Sequence, residues 1–241
     1  MISTFKATAA VAGLGLALTF ASAHAANLVT NGGFESTTAG NGQLGFNTNA
    51  TGWTTSGYNF LFAPGTADTT GANGSFGNLT LWGPGTGVLD GLPAASPAGG
   101  NFVAADGAFE TGAITQTIGG LTAGNKYTVS FWWAGAQQSG AFTGVTTEQW
   151  QVGFGGATQL TAVLTDASQG FTGWLLQSFT FTADATSDVL SFLAVGTGEP
   201  PFALLDGVSV NAAVPEPASL ALLGVGLAGL GALARRRRAK R

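Results

Sequence analysis

Lys126-Tyr127-Thr128-Val129-Ser130-Phe131-Trp132-Trp133-Ala134 sets large apolar side chains at every second position. In an extended strand successive side chains point to opposite faces. Tyr127, Val129, Phe131 and Trp133 therefore share one face, and Thr128, Ser130 and Trp132 take the other. A helix would scatter the same four residues around its axis, and the β-branched and aromatic content also favours a strand. The stretch reads as a strand with one side in a core.

Working outward, the same signature recurs. Phe179 and Phe181 alternate with Ser178, Thr180 and Thr182. Strands are predicted over Phe102–Ala104, Ala113–Ile118, Lys126–Ala134, Gln149–Phe154, Gln159–Leu164, Trp174–Thr182, Asp188–Val195 and Phe202–Val210. Gly, Asn, Asp or Ser separates each from the next. Before them, Asn27-Leu28-Val29-Thr30 predicts a short strand that ends in the turn signal Asn31-Gly32-Gly33. Tyr58–Phe62 predicts another. Residues 36–57 read as loop around Trp53. Residues 63–100, rich in Gly, Pro and Ala, read as long loops over one end of a sheet structure, with Phe76, Leu79 and Trp82 needing burial. No window outside the two chain ends shows a 3.6-residue period. The expectation is an all-β domain, an antiparallel two-sheet sandwich.

The chain ends are different. Met1 to Lys6 carries one positive charge, Ala7 to Phe20 carries none, and Ala23-His24-Ala25 offers a small-x-small cleavage pattern. Residues 1–25 are expected to be a signal peptide with a helical apolar segment. The region between the ends, 26–213, is 188 residues long, enough for one domain with a sizeable core. It has no Cys, so an exported fold would depend on packing, without disulfides. It holds one Lys, Lys126, against eleven acids, a formal charge of −10. That sign excludes a nucleic-acid binder. Abundant Gly, Thr, Asn and Ser with so few charges suit a neutral partner such as a glycan.

Residues 214–241 read VPEPASLALLGVGLAGLGALARRRRAKR. Pro215-Glu216-Pro217 stops any preceding strand. Residues 218–234 carry no charge and would form a transmembrane helix about 25 Å long. The basic cluster at 235–241, with Arg235, Arg236, Arg237 and Arg238, would stay with the cytoplasmic headgroups of the inner membrane. Gly224 to Gly229 fits G-x-G-x-x-G but lies within the apolar run, so small residues in a membrane helix explain it. This tripartite tail resembles the PEP-CTERM sorting signal of Gram-negative bacteria. The resemblance implies recognition and removal by an exosortase near Pro215, Glu216 and Pro217. The domain would then be released to the cell surface or the extracellular polysaccharide matrix. A permanently anchored adhesin is the alternative.

A second resemblance covers most of residues 27–211. Asn27-Leu28-Val29-Thr30-Asn31-Gly32-Gly33-Phe34-Glu35, Gln116-Thr117-Ile118 with Gly124 to Phe131, and Leu205-Asp206-Gly207-Val208-Ser209-Val210 are similar to a galactose-binding-like jelly roll, the fold of carbohydrate-binding modules. In such domains the terminal strand's Asp and the Gly-Phe-Glu segment often meet around a structural calcium. The resemblance thus implies calcium at Glu35 and Asp206. On the residues alone, Asp206 shares a period-two face with Phe202, Leu204, Val208 and Val210. There a carboxylate must be paired, metal-bound or hydrogen-bonded to backbone N–H groups.

Chemistry is bounded by elimination. His24, the only His, leaves with the signal peptide, and there is no Cys. Nucleophile systems built on His or thiolate are therefore excluded, as are zinc sites of those ligands. Carboxylate pairs remain, and Asp106 with Glu110 is the pair a glycosidase reading would use. Trp53 and Trp82, in loop-like stretches, are the expected sugar-stacking platforms. The reading is a non-catalytic, glycan-associated binding or structural module, with a carbohydrate-active enzyme as the alternative.

Overall fold

The computed structural model describes residues 26–213 and Arg235. The expected signal helix, the Pro215-Glu216-Pro217 motif, the helix at 218–234 and Arg236 to Arg238 lie outside the described residues. Among those described, no helix is long and apolar enough to cross a membrane.

Residues 26–213 form thirteen strands and one 3-10 turn, Pro84–Thr86. The strands are β1 Gly42–Gln43, β2 Asn59–Phe62, β3 Ala72–Gly74, β4 Gly77–Leu79, β5 Phe102–Asp106, β6 Ile114–Gly119 and β7 Lys126–Gln137. They continue with β8 Thr146–Phe154, β9 Ala157–Leu160, β10 Leu164–Asp166, β11 Leu175–Thr182, β12 Ser187–Thr197 and β13 Pro201–Ala212. Two sheets carry the fold, one ordered β1-β2-β5-β13-β7-β11 and the other β10-β8-β12-β6, with β9 added to β8. Their strand pairings are antiparallel. β3 and β4 form a separate hairpin. The expected all-β sandwich is observed. The strand expected over Gln159–Leu164 is broken, its two ends becoming β9 and β10. Residues 27–30 form no strand; Leu28 N donates to Val210 O at 2.9 Å, and the Asn27 side chain accepts from Val210 N at 3.0 Å.

The alternation in β7 is realised. Tyr127, Val129, Phe131 and Trp133 are buried in the core between the sheets, with Trp150, Phe154, Phe192 and Leu205. Trp150 meets Phe192 edge-on with ring centroids 5.9 Å apart, and its Nε1 donates to Leu204 O.

A second apolar layer lies on the other face of the six-stranded sheet. Phe60, Phe62, Phe102, Ala104, Ala134, Ala136, Phe202 and Leu204 pack there against Leu79, Leu81 and Leu92. Residues 63–100 are thus a lid across a face, not loops over an end. The sheet's middle strands are buried on both sides, which explains uninterrupted runs such as Phe202-Ala203-Leu204-Leu205.

β13 serves both layers through a bulge. Its register with β7 shifts between Asp206 and Ser209, and Gly207 has φ +58°. Phe202 and Leu204 face the lid, whereas Val208 and Val210 face the inter-sheet core. The single period-two face expected for Phe202 to Val210 is therefore switched at the bulge, because one extra residue inverts every later side chain.

A one-layered sandwich would leave Leu204 at the solvent, where truncation costs within about 0.5 kcal/mol. Leu204→Ala and Leu205→Ala are each expected to lose about 2–5 kcal/mol. Denaturant unfolding measures both, and a near-silent Leu204→Ala would contradict the lid.

Candidate functional site

Five chain segments converge at one end of the six-stranded sheet. Tyr58 precedes β2, Phe76 sits at the tip of the β3–β4 hairpin, and Asp106 to Phe109 follow β5. Gln138 and Phe142 come from the β7–β8 connection, and Gly198 to Pro200 from the β12–β13 turn. Together they line a cleft of about 500 Å³.

Its aromatic rings are ordered against one another. Tyr58 meets Phe76 at 5.8 Å and Phe109 at 5.4 Å, and Phe76 meets Phe109 at 5.3 Å, all edge-to-face. Tyr58 is buried, but Phe76 is 63% exposed, Phe109 46% and Phe142 39%. Three exposed Phe around one hollow form an apolar patch that folding does not require.

Asp106 builds the turn that presents Phe109. It is buried, and its Oδ1 accepts from the N–H groups of Ala108 at 2.8 Å and Phe109 at 3.0 Å. Burial pushes its carboxyl above the usual range, against the pull of those two bonds. Burial also raises the Tyr58 phenol, helped by Asp106 and Glu110. The phenol is therefore a neutral O–H donor at the cleft floor. Glu110, the expected partner of Asp106, is exposed and does not line the cleft; Glu199 does.

The Trp expectations resolve differently. Trp53 is a core residue, 7% exposed, packed on Phe34 at 5.2 Å and Phe192 at 6.3 Å, with Nε1 donating to Asn31 O. It has no face free for a sugar, because the 36–57 segment folds onto the core. Trp82 is half-buried and does not line the cleft; its Nε1 donates to Phe142 O at 2.9 Å. It holds the loop that carries Phe142. The phenylalanines were missed because exposed Phe in Gly-rich loops has no sequence signature distinct from buried Phe.

Glu35 and Asp206 do come together. A Cβ at Gly33 would stand 3.8 Å from both Glu35 Oε1 and Asp206 Oδ1, so the absent side chain leaves a gap flanked by two carboxylates. Asp206 is 0% exposed. It accepts from Ser96 Oγ and from its neighbour Gly207 N at 2.6 Å. Burial chiefly, with Glu35 nearby, pushes its carboxyl up to about 7 despite those bonds. Glu35 Oε1 accepts from Asn101 N at 2.8 Å. Hard oxygen donors of like charge around an open gap fit calcium chemistry. No group of three or more acids or His among the described residues could hold a metal, so backbone oxygens or water would have to complete the shell.

Because the folded-state pKa of Asp106 is raised, its proton favours the folded state. That contribution is full below the ordinary carboxyl pKa and is lost as pH rises through the raised one. Asp106→Asn keeps an acceptor for both N–H groups and does not ionise. Its melting midpoint relative to wild type is expected to climb as pH goes from about 4 to about 8. A flat difference would mean the carboxylate is well solvated.

Several solved structures resemble the domain. TmCBM61, solved with beta-1,4-galactotriose, is 16% identical over 78% of this chain and 99% of that chain, with a TM-score of 0.43. The CBM22-1 xylan-binding domain from Paenibacillus barcinonensis Xyn10C is 12% identical over 80% and 97%, TM-score 0.39. A CBM4 structure is 16% identical over 76% and 99%, TM-score 0.33. These neighbours are carbohydrate-binding modules with jelly-roll folds. No curated protein matches the chain. At its C-terminal end the chain matches a family model: residues 213–238 carry a PEP-CTERM protein-sorting motif, the mark of a secreted, transiently membrane-anchored protein processed by an exosortase.

Proposed function

We propose that this is an exported protein whose β-sandwich binds neutral glycan at the cell surface or in the extracellular matrix, without catalysing a reaction on it. The observation that carries the reading is the cleft. Sugar rings present apolar C–H faces that stack on aromatic rings and hydroxyls that need hydrogen-bond partners. Phe76, Phe109 and Phe142 supply the first, and Gln138, Glu199 and the Tyr58 hydroxyl the second. The volume and the mix of apolar walls with few polar groups suit a small-ligand site. Asp106 serves to hold the Phe109 turn, and this supports a binding role over a catalytic one.

An array of neutral oligosaccharides, probed with the full-length protein in detergent, tests this. Phe76→Ala and Phe109→Ala are each expected to weaken the captured interaction about tenfold, a loss of ~1.4 kcal/mol. Trp53→Phe should leave affinity unchanged if the protein stays folded. Hydrolysis of a bound oligosaccharide that vanishes in Asp106→Asn or Glu199→Gln would replace binding with catalysis.

The tail gives the route. After passage through the inner membrane, the protein is held by 218–234 until an exosortase removes the segment beyond Pro215-Glu216-Pro217. Intact mass of surface-recovered protein is expected to lack residues 1–25 and the Arg235–Arg238 cluster. Retention of that cluster would mean a permanent anchor.

A structural calcium at Glu35 and Asp206 belongs to the same proposal, supported by the gap at Gly33 and the full burial of Asp206. It would tie the Asn31–Glu35 turn to the β13 bulge. Calcium at a hundredfold excess over its Kd adds about 2.7 kcal/mol. It should therefore raise the melting midpoint of wild type more than that of a Glu35→Gln, Asp206→Asn double variant. Equal responses would contradict the site.

A further inference from the structure

A different pair of carboxylates lies buried between the sheets. In the β8–β10 ladder Leu164 pairs with Glu148 and Asp166 with Thr146. The two acids are thus diagonal neighbours on one face, close enough for their side chains to meet. Glu148 is 1% exposed, and neither Oε1 nor Oε2 has a hydrogen-bond partner within 3.5 Å, the Thr146 hydroxyl pulling on the carboxylate from just beyond; Asp166 Oδ2 is also buried and unpartnered. Six buried side-chain atoms among the described residues lack partners, and four are carboxylate oxygens of Glu148, Asp166 and Asp90. Orphaned polar atoms are rare in folded interiors, so four in linked acids call for an explanation.

The backbone closes tightly on both carboxylates, and only glycine fits beside them. Gly135 of β7 faces Glu148, and a Cβ there would come 2.5 Å from Oε2. A Cβ at Gly170 would collide with Asp166 Oδ1. Within residues 26–213 no basic side chain can intervene. Lys126, the only Lys or Arg in residues 26–213, is nine residues from Gly135 along β7, roughly 30 Å away. By contrast, neighbouring Gln137 is fully used, donating to Gly144 O and Thr146 Oγ1 and accepting from Gln169 N.

Two like charges in an apolar interior must be neutralised by protons or by a cation. Burial pushes the Glu148 carboxyl up to about 8 and the Asp166 carboxyl up to about 7, with Asp166 adding to the first and Asp90 to the second. A proton gives one donor to one oxygen and leaves the others orphaned. A dipositive ion satisfies several at once and answers both charges. Every candidate donor is oxygen, which selects a hard cation.

We propose that Glu148 and Asp166 hold a divalent cation, calcium by the chemistry of the donor set, in the interior between β8, β10 and Gly135. Since no three acidic or His side chains among the described residues could share one ion, hydroxyl or backbone oxygens and water complete the shell, and Asp90 stays outside it. The site is independent of Glu35 and Asp206. It lies beneath the β7–β8 connection that carries Phe142. That connection is fastened by Gln137 to Gly144 O and by Gly144 N to Ser168 Oγ at 2.9 Å.

The test is a count of calcium per chain, by equilibrium dialysis and elemental analysis of full-length protein in detergent. The Glu148→Gln, Asp166→Asn double variant, with its fold checked by circular dichroism, is expected to bind one calcium fewer than wild type, whatever Glu35 and Asp206 do. Should that variant not fold, Asp166→Asn alone is expected to weaken one calcium at least tenfold. Equal counts in wild type and the folded double variant, or unchanged affinities in Asp166→Asn, would overturn the proposal and leave a proton shared between the two carboxyls.

Discussion

The six-stranded sheet is buried on both faces along β2, β5 and the adjoining halves of β13 and β7, and the other features of the fold follow from that. A sandwich needs one apolar face per sheet; this sheet has two. Where the lid covers them its inner strands are consequently apolar, as in Trp133-Ala134-Gly135-Ala136 and Phe202-Ala203-Leu204-Leu205, and residues 63–100 must lie across the outer face to keep Phe60, Phe102 and Leu204 from water. The lid has little regular structure of its own, only the β3–β4 hairpin and one 3-10 turn. It is held by apolar contact and by bonds to strand ends, such as Trp82 N to Gln137 O at 2.9 Å. Where the lid meets the end of the sheet it stops short, and the cleft is the space left between Phe76 and the turns after β5, β7 and β12.

β13 shows how one strand meets two demands. Before the bulge its even-numbered residues face the lid, and after it they face the inter-sheet core. Asp206 stands at the changeover, where neither layer can solvate it. Gly32 packs so closely beneath the bulge that a Cβ would collide with Val208 O, and Val208 N donates back to Gly32 O at 2.9 Å. The Asn31-Gly32-Gly33 turn and the bulge therefore fix each other, which explains Gly32 at a level that turn propensity alone does not reach.

Much of this was legible in the sequence, and the failures have physical reasons. Period-two alternation located the strands of the main sandwich because one face of each is polar or the run is strongly β-forming. It could not report the lid, since a Gly- and Pro-rich segment carries no period whether it covers a face or hangs in solvent. Nor could it see the bulge, because Gly207 changes the face of Val208 and Val210 without altering the pattern of letters. The proximity of Glu35 and Asp206 followed from resemblance and is found in the fold. The aromatic platform did not follow. Trp53 and Trp82 were the expected platforms because they lie in loop-like stretches, but Trp53 fills the core, Trp82 stands off the cleft, and the exposed rings there are phenylalanines. Glu148 and Asp166 lie just outside the strands predicted at Gln149–Phe154 and Gln159–Leu164, and only the ladder register makes them diagonal neighbours.

The cleft bounded by Tyr58, Phe76, Phe109 and Phe142 is the place where we propose that this domain meets a neutral oligosaccharide. The most direct measurement is aromatic side-chain NMR of the full-length protein in detergent micelles, titrated with an oligosaccharide that it captures. Ligand-induced shifts and intermolecular contacts are expected at the Phe76, Phe109 and Phe142 rings, with Trp53, Trp133 and Trp150 unmoved. Contacts on the outer face of the β10-β8-β12-β6 sheet, with those three phenylalanines silent, would contradict that proposal.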